Sequence, residues 1–179
     1  RTVREASIAQ DAPRLSISLV GRLALRLDGR PLELRTRKAA AVLGYLALTE
    51  AKQESRERLV GLLWSRSDEE KARASLRQVV RELRQILEEA GFSGFNAGRL
   101  TVGFDRGQVD VDIESILQQA ENARIHPLLL DTPHLDDALL EGLDDLDPSF
   151  RVWILAKRQT IHDRLMRSLE AGLTAADAA

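Results

Sequence analysis

The stretch SRERLVGLLWSRSDEEKARASLRQVVRELRQILEEAG, residues 55–91, predicts two helices joined by a brief turn. Ser55 can cap the first helix, and Ser67 or Asp68 can cap the second. Apolar residues recur every three or four positions in both segments, so each helix has one face suited to burial. Gly91 is a typical end for the second helix. Two helices in this arrangement are typical of a helix-turn-helix.

The second helix, over residues 69–90, carries four arginines on one side. We measure the angle of each side chain around the helix axis from Leu76, with an advance of about 100° per residue. The apolar residues then lie within roughly 60° of Leu76, and the arginines lie between roughly 60° and 140° from it. The arginines are Arg73, Arg77, Arg81 and Arg84. Like charges at helical spacing cost about a few tenths of a kcal/mol per pair, whereas guanidinium groups bind phosphates and guanine edges well. The row alone leaves DNA contact and a solvated face both open, and we favour DNA contact because this helix is the third in an order of strands, three helices and a hairpin.

The segments on either side complete a winged helix. Alternating apolar and polar residues predict three short antiparallel strands, at residues 15–20, 23–27 and 31–34. A hairpin turn is expected at residues 28–30, and Thr36 can cap a helix that runs to about Leu48. After the helices, GRLTVGFDRGQVDV (98–111) predicts a second hairpin, with its turn at residues 105–107. Strands, three helices and a terminal hairpin are the order of a winged helix.

The expected fold class is an α+β winged helix-turn-helix over residues 14–111, followed by an all-α helical module over residues 112–179. Residues 1–13 are a polar leader unlike a signal peptide. Helices of the second module are predicted at residues 112–123, at residues 135–143 and from about Pro148. Asp147 can cap the last of these, with Pro148 at its first position. The prolines in RIHPLLLDTPH (124–134) indicate a loop.

The composition narrows the class of protein. The 179 residues are 44% hydrophobic and 30% charged and include no Cys, which excludes disulfides and thiolate metal sites and fits a cytoplasmic protein. No apolar run approaches the roughly 20 residues of a membrane helix, so we expect no membrane partner. Residues 1–111 contain 20 Lys or Arg against 15 Asp or Glu, and residues 112–179 contain 6 against 13. This asymmetry indicates a polyanionic partner for the first part. Because the sequence does not begin with Met, we expect a fragment or a processed product.

Eleven residues are candidates for DNA contact. The recognition helix supplies its four arginines together with Lys71, Ser75 and Gln78. The start of the first helix supplies Arg35, Arg37 and Lys38, which suit phosphate contact. Arg106, in the turn of the expected wing, suits a minor groove. Double-stranded DNA is therefore the expected partner.

Several motifs resemble one family of bacterial transcriptional regulators. LVGRLALRLDGRPLELRTRKAAAVLGYLAL (19–48) and SRERLVGLLWSRSDEEKARASLRQVVRELRQIL (55–87) resemble the N-terminal part of SARP regulators. VDVDIESI (109–116) resembles their junction between two domains. The resemblance implies an OmpR-type winged helix and then the N-terminal part of a bacterial transcriptional activation domain, with tetratricopeptide-like helix pairs. It also implies an activator that binds direct repeats in tandem, as a homodimer on DNA, with RNA polymerase as a further partner.

Other functions remain open at this stage. The main alternative is a winged helix that no longer binds DNA and serves as a protein-interaction or dimerisation module of a larger signalling protein. The acidic second part supports it, because that part could neutralise the arginines in place of DNA. His126, His134 and His162 show no convincing metal spacing, and no catalytic set stands out. We therefore expect no metal, no cofactor and no enzymatic activity.

Overall fold

A computed structural model gives the structure of the chain and describes residues 13–132 and 134–177. Nearly all of the predicted polar leader, residues 1–12, lies outside the described residues. The first sheet contains β1 (Leu15–Ser18), β2 (Ala24–Leu27), β3 (Arg30–Leu32) and β7 (Val109–Val111), in the order β3-β2-β1-β7. The first three strands are antiparallel, as predicted, whereas β7 pairs parallel to β1.

The hairpin between β2 and β3 follows from two residues. Leu27 pairs with Arg30, so the loop consists of Asp28 and Gly29, whose φ angles are 48° and 82°. Two successive positive φ angles give the turn type that matches strand twist, and Asp-Gly is a preferred pair for it. The predicted hairpin at residues 28–30 is confirmed, with Arg30 already in the strand.

Three helices follow, and their ends are set by local signals. They are α1 (Arg37–Leu48), α2 (Arg56–Leu63) and α3 (Glu69–Ala90). Each begins after a side chain that accepts a hydrogen bond from a backbone N–H of the first turn: Thr36, Ser55 and Asp68. Helix α3 ends at Gly91, whose φ of 95° lies in the left-handed region that favours glycine. The two predicted helices, α2 and α3, and the brief turn between them are found in the structure.

The wing differs from the predicted one. A second sheet has the order β4-β6-β5, with β4 (Gln53–Ser55), β5 (Phe95–Ala97) and β6 (Thr101–Phe104). The wing hairpin is therefore β5–β6, and it turns at residues 98–100. The hairpin expected at residues 105–107 is wrong, because β6 and β7 belong to different sheets.

The helical half contains one long helix and little other regular structure. Its helices are α4 (Asp112–Glu121), α5 (Pro127–Asp131) and α6 (Pro148–Asp177). Asp147 caps α6, as predicted, because its Oδ1 accepts a hydrogen bond from Ser149 N at 2.8 Å. The helix predicted at residues 135–143 is wrong, since turns and a bridge from Leu139 to Val20 replace it. The loop predicted at residues 124–134 contains the short helix α5.

The two halves share one core. The Asp112 carboxylate, at the start of α4, accepts hydrogen bonds from Leu19 N at 2.9 Å and from Val20 N at 3.1 Å. Helix α6 packs against both α4 and α2. The buried apolar residues of both halves form a single cluster, so the boundary at residue 111 stays a prediction.

Candidate nucleic-acid interface

Helix α3 has the two faces that its sequence predicts. One face is buried and consists of Ala72, Leu76, Val79, Val80, Leu83 and Leu87. The row of four arginines is exposed; the Arg73 side chain, for example, retains 62% of its accessible surface. The acidic half therefore does not seal these guanidinium groups.

The four arginines differ in the contacts they make within the protein. Arg73 pairs with Glu69 one turn earlier, at 2.5 Å. Arg84 Nη2 donates a hydrogen bond to the Ala97 carbonyl oxygen of the wing, at 2.7 Å. Arg77 and Arg81 make no ion pair and no side-chain hydrogen bond within residues 13–132 and 134–177. These two are therefore the most available of the row.

The other flank of α3 carries the remaining candidates of this helix. Lys71 and Gln78 are exposed, and Ser75 is half-buried. Glu82, farther along this flank, accepts a hydrogen bond from Arg35 N at 3.1 Å. That bond places Arg35, whose side chain is exposed, beside α3. Arg35 therefore lies next to the predicted recognition helix, and its contact with phosphate stays a prediction.

Arg37 and Lys38 contact the helical half instead. Arg37 donates hydrogen bonds to the Gly142 carbonyl oxygen at 2.5 Å and to the Asp145 carboxylate. This guanidinium holds the pKa of Asp145 below its usual value. The structure therefore does not place Arg37 with the arginines of α3, because a partner distant in sequence occupies it.

Lys38 is half-buried at the same junction. Its Nζ donates to the Leu63 and Leu146 carbonyl oxygens and lies 5.0 Å from the centroid of the Trp64 ring. Burial lowers its pKa, and Arg37 lowers it further, although Asp147 acts in the opposite direction. An ammonium group held in this way is not free to bind a phosphate.

Arg106 does not lie at the tip of the wing. It begins a single turn of 3-10 helix (Arg106–Gln108) that follows β6. The preceding Asp105 N donates to Gly94 O at 2.7 Å, beside the pair Phe95–Phe104 at the open end of the β5–β6 hairpin. The turn of this hairpin, at residues 98–100, lies at the opposite end of the two strands. Arg106 is exposed, but its predicted position at the wing tip is wrong.

Two further arginines, which were not predicted from the sequence, lie near the arginine row of α3 or at the tip of the wing. Arg99 is exposed at the wing tip, beside Leu100, which is 75% exposed. Arg56 begins α2, and its Nε donates to the Gly98 carbonyl oxygen at 2.9 Å. Burial lowers the pKa of Arg56, and the charges of Arg84 and Arg77 lower it further, so the three groups interact. A strand prediction for FNA (95–97) would have moved the wing turn onto Arg99.

Arginines of α3, of the wing tip and of the start of α2 form one surface, which we call the α3–wing surface. It consists of Arg56, Arg73, Arg77, Arg81, Arg84 and Arg99. In the part of the chain that the structure describes, no group of three potential metal ligands occurs, and no helix is long and apolar enough to cross a membrane. Chemically, the surface offers guanidinium donors to anions.

Similar proteins are transcriptional regulators. The transcriptional regulatory protein MoaR1 occurs in the comparison from both Mycobacterium tuberculosis and Mycobacterium bovis. Each is 32% identical to this chain over 111 residues, which cover 58% of this chain and 35% of MoaR1. EmbR, a transcriptional regulatory protein of the same two species, is 35% identical over 78 residues, which are 44% of this chain and 20% of EmbR. The chain thus spans only a minor part of these curated relatives. No protein-family model matches it.

The fold is also found in a solved structure. Mycobacterium tuberculosis EmbR in complex with a low-affinity phosphopeptide matches with a TM-score of 0.61 and 20% identity, over 87% of this chain and 44% of that chain. At this identity the likeness shows a shared fold. The relatives in the sequence comparison are themselves named as transcriptional regulatory proteins.

Proposed function

We propose that this chain is a sequence-specific DNA-binding module of a transcriptional regulator of the SARP type. The observation that carries the proposal is the exposed arginine row of α3, which ends against a wing hairpin in a chain related to transcriptional regulators. In winged helices of this kind, a recognition helix enters the major groove and the wing contacts the neighbouring groove. The four arginines keep their guanidinium groups on the side away from the core.

The contacts within the protein suggest how the work is divided on DNA. Arg77 and Arg81, at the centre of the row, are the best candidates for bidentate contact with guanine O6 and N7. The row from Arg73 to Arg84 covers about 16 Å of helix, somewhat more than the roughly 12 Å width of the major groove. The outer two arginines therefore suit the phosphates at the groove edges. Lys71, Ser75, Gln78 and Arg35 add contacts on the other flank.

The wing contributes Arg99, which replaces Arg106 as the candidate for the minor groove. Arg99 lies at the exposed turn of the β5–β6 hairpin, where a cation can enter a narrow groove of high negative potential. Leu100 beside it is an exposed apolar side chain of the type that can contact sugars and base edges there.

The proposal extends to assembly, in line with the resemblance to SARP regulators. The chain binds direct repeats as a homodimer, and the acidic helical half, with α4 packed on α6, presents a surface for RNA polymerase. Activation is the expected outcome of that contact. Crosslinking of the chain on one and on two repeats of its selected site measures the dimer directly.

Binding of double-stranded DNA tests the central claim. The full chain is used to select duplexes from a randomised pool, and the affinity for the selected sequence is measured by fluorescence anisotropy. We expect the affinity to fall steeply between about 50 and 200 mM salt, since each phosphate contact contributes about −0.9 to the slope of log affinity against log salt. Arg77→Ala should weaken binding by about 1–3 kcal/mol and relax the preference at one base pair.

Arg124→Ala is the matched control, because it removes the same charge from an exposed position between α4 and α5. Its affinity should stay within about twofold of the original chain, as expected for a charge distant from the phosphates. A folded chain that fails to bind any duplex even at low salt would refute the proposal and favour the protein-interaction module.

A further inference from the structure

Two arginines from different helices hold the wing hairpin. Arg84, on α3, donates to the Ala97 carbonyl oxygen, and Arg56, at the start of α2, donates to that of Gly98. These acceptors are consecutive along the chain, so both guanidinium groups lie at the end of β5. In addition, the backbone N–H of Arg56 donates a hydrogen bond of 2.8 Å to the Leu100 carbonyl oxygen. The wing is thus tied to both helices of the helix-turn-helix.

The same junction concentrates positive charge. Within the described residues, Arg56, Arg77 and Arg84 take part in no ion pair, and Arg56 is half-buried. Burial lowers the pKa of Arg56, and the charges of Arg84 and Arg77 lower it further. Each guanidinium has five N–H donors and no acceptor, and one contact to a wing carbonyl leaves most of these donors unused.

We propose that Arg56 and Arg84 clamp the wing to the helix-turn-helix and together bind one backbone phosphate of double-stranded DNA through their remaining N–H groups. This inference rests on the proposed function. It makes Arg84 a positioning and phosphate-binding residue, and it leaves base recognition to Arg77 and Arg81. A phosphate at this point satisfies donors that the carbonyl groups leave open, and its negative charge offsets the mutual repulsion of the cations. Phosphate binding and wing position are then coupled.

The first arm of the test uses the free protein. Amide hydrogen exchange of residues 98–101 is followed in the full chain and in the double variant Arg56→Ala/Arg84→Ala. We expect the exchange of these amides to rise about three- to tenfold, because two hydrogen bonds to the wing are lost. Arg81→Ala is the matched control, since it removes an arginine of the same row that, within the described residues, donates no hydrogen bond to the wing. Exchange that rises equally in Arg81→Ala, or in neither variant, overturns the clamp.

The second arm measures DNA affinity against salt concentration, with the duplex selected from the randomised pool. Loss of one shared phosphate should reduce the slope by about one in the double variant, whereas separate phosphates would reduce it by about two. A loss of about one supports the shared site, and a loss of two or of none overturns it. If the original chain binds no duplex, the proposed function and the phosphate site both fail, and the exchange arm still decides whether the clamp exists.

Discussion

Replacement of Asp147 by Ala should destabilise the chain by about 3 kcal/mol, because one carboxylate supports both halves of the molecule. Asp147 Oδ2 accepts from Ser65 N at 2.9 Å, and Oδ1 accepts from Ser65 Oγ at 2.7 Å and from Ser149 N at 2.8 Å. Ser65 lies in the turn of the helix-turn-helix, and Ser149 lies in the first turn of α6. The residue is only 7% exposed, so water replaces these bonds poorly.

The magnitude combines two losses. A lost helix cap costs about 0.5–2 kcal/mol, and lost hydrogen bonds to a charged acceptor cost about 1.5–3 kcal/mol. Because the same carboxylate makes both sets of bonds, the two losses overlap and do not add fully. A total of about 3 kcal/mol lies between the larger loss and the simple sum.

Urea unfolding of the full chain, followed by circular dichroism at neutral pH, measures this loss. Asp145→Ala is the control, because Asp145 lies in the same loop but is exposed and binds Arg37 at the surface. Ser65→Ala removes only the hydroxyl bond and should cost about 1 kcal/mol. A loss below about 1 kcal/mol in Asp147→Ala would refute the reasoning, since it is less than the cost expected for the hydrogen bonds alone.

Three further outcomes follow from the structure. Gly103→Ala should destabilise the chain by about 1–3 kcal/mol in urea unfolding, because a Cβ there would lie 2.6 Å from the carbonyl oxygen of Lys52, the residue just before β4; unchanged stability would contradict this close contact. Arg99→Ala should weaken duplex binding without a change in the urea midpoint, and an unchanged affinity would remove the wing tip from the interface. The hydrogen bond and charge of Arg14 hold the pKa of Asp110 below its usual value. Their ion pair therefore stabilises the folded chain fully at pH values above the ordinary pKa of an Asp, and this stabilisation is lost as the pH falls through the lowered pKa of Asp110. The difference of a few tenths of a kcal/mol between the original chain and Asp110→Asn, measured in urea, should therefore close on acidification, and a difference that persists in acid would contradict the assignment.

Local signals made much of the fold predictable. The helix starts at Thr36 and Ser55, the turn at Gly29 and the helix end at Gly91 each depend on a few adjacent residues, and all are found as predicted. The helix start at Pro148 also follows from its own neighbours. In such cases the residues that interact are only a few positions apart in the sequence, so the interaction can be predicted without knowledge of the fold.

Contacts between distant segments explain the errors. Residues 135–143 have leucines at helical spacing, and all four leucines are buried, yet they form turns, because Leu139 bridges to Val20 and Gly142 adopts a φ of 84°. The wing was misplaced for the same reason. Strands β6 and β7 each have strand-like patterns, but alternation does not reveal which strand pairs with which, and β7 pairs with β1, far away in sequence.

The candidate site was predictable in part. The exposure of the α3 row followed from helical periodicity, which fixes the direction of each side chain relative to the core. Periodicity did not reveal that Arg37 and Lys38 are separated from that row. Their position depends on hydrogen bonds to residues 142–146, which are distant in sequence. Arg56 was missed because its role depends on a carbonyl of the wing strand that the sequence did not indicate.

The placement of acidic groups explains why a chain with a net charge of −2 can present a basic surface. In the helical half, Asp145 pairs with Arg37 on α1, whereas Asp144 pairs with Arg158 of α6. Asp147 accepts hydrogen bonds from Ser65, in the turn after α2, and from Ser149. Asp145 and Asp147 therefore act on the side of the molecule that carries α1 and the end of α2. In the residues that the structure describes, the one ion pair of the α3 row comes from Glu69 of the same helix. The acidic half thus contacts α1 and the turn after α2 and leaves the arginines of α3 exposed, which is the arrangement that the proposed DNA contact requires.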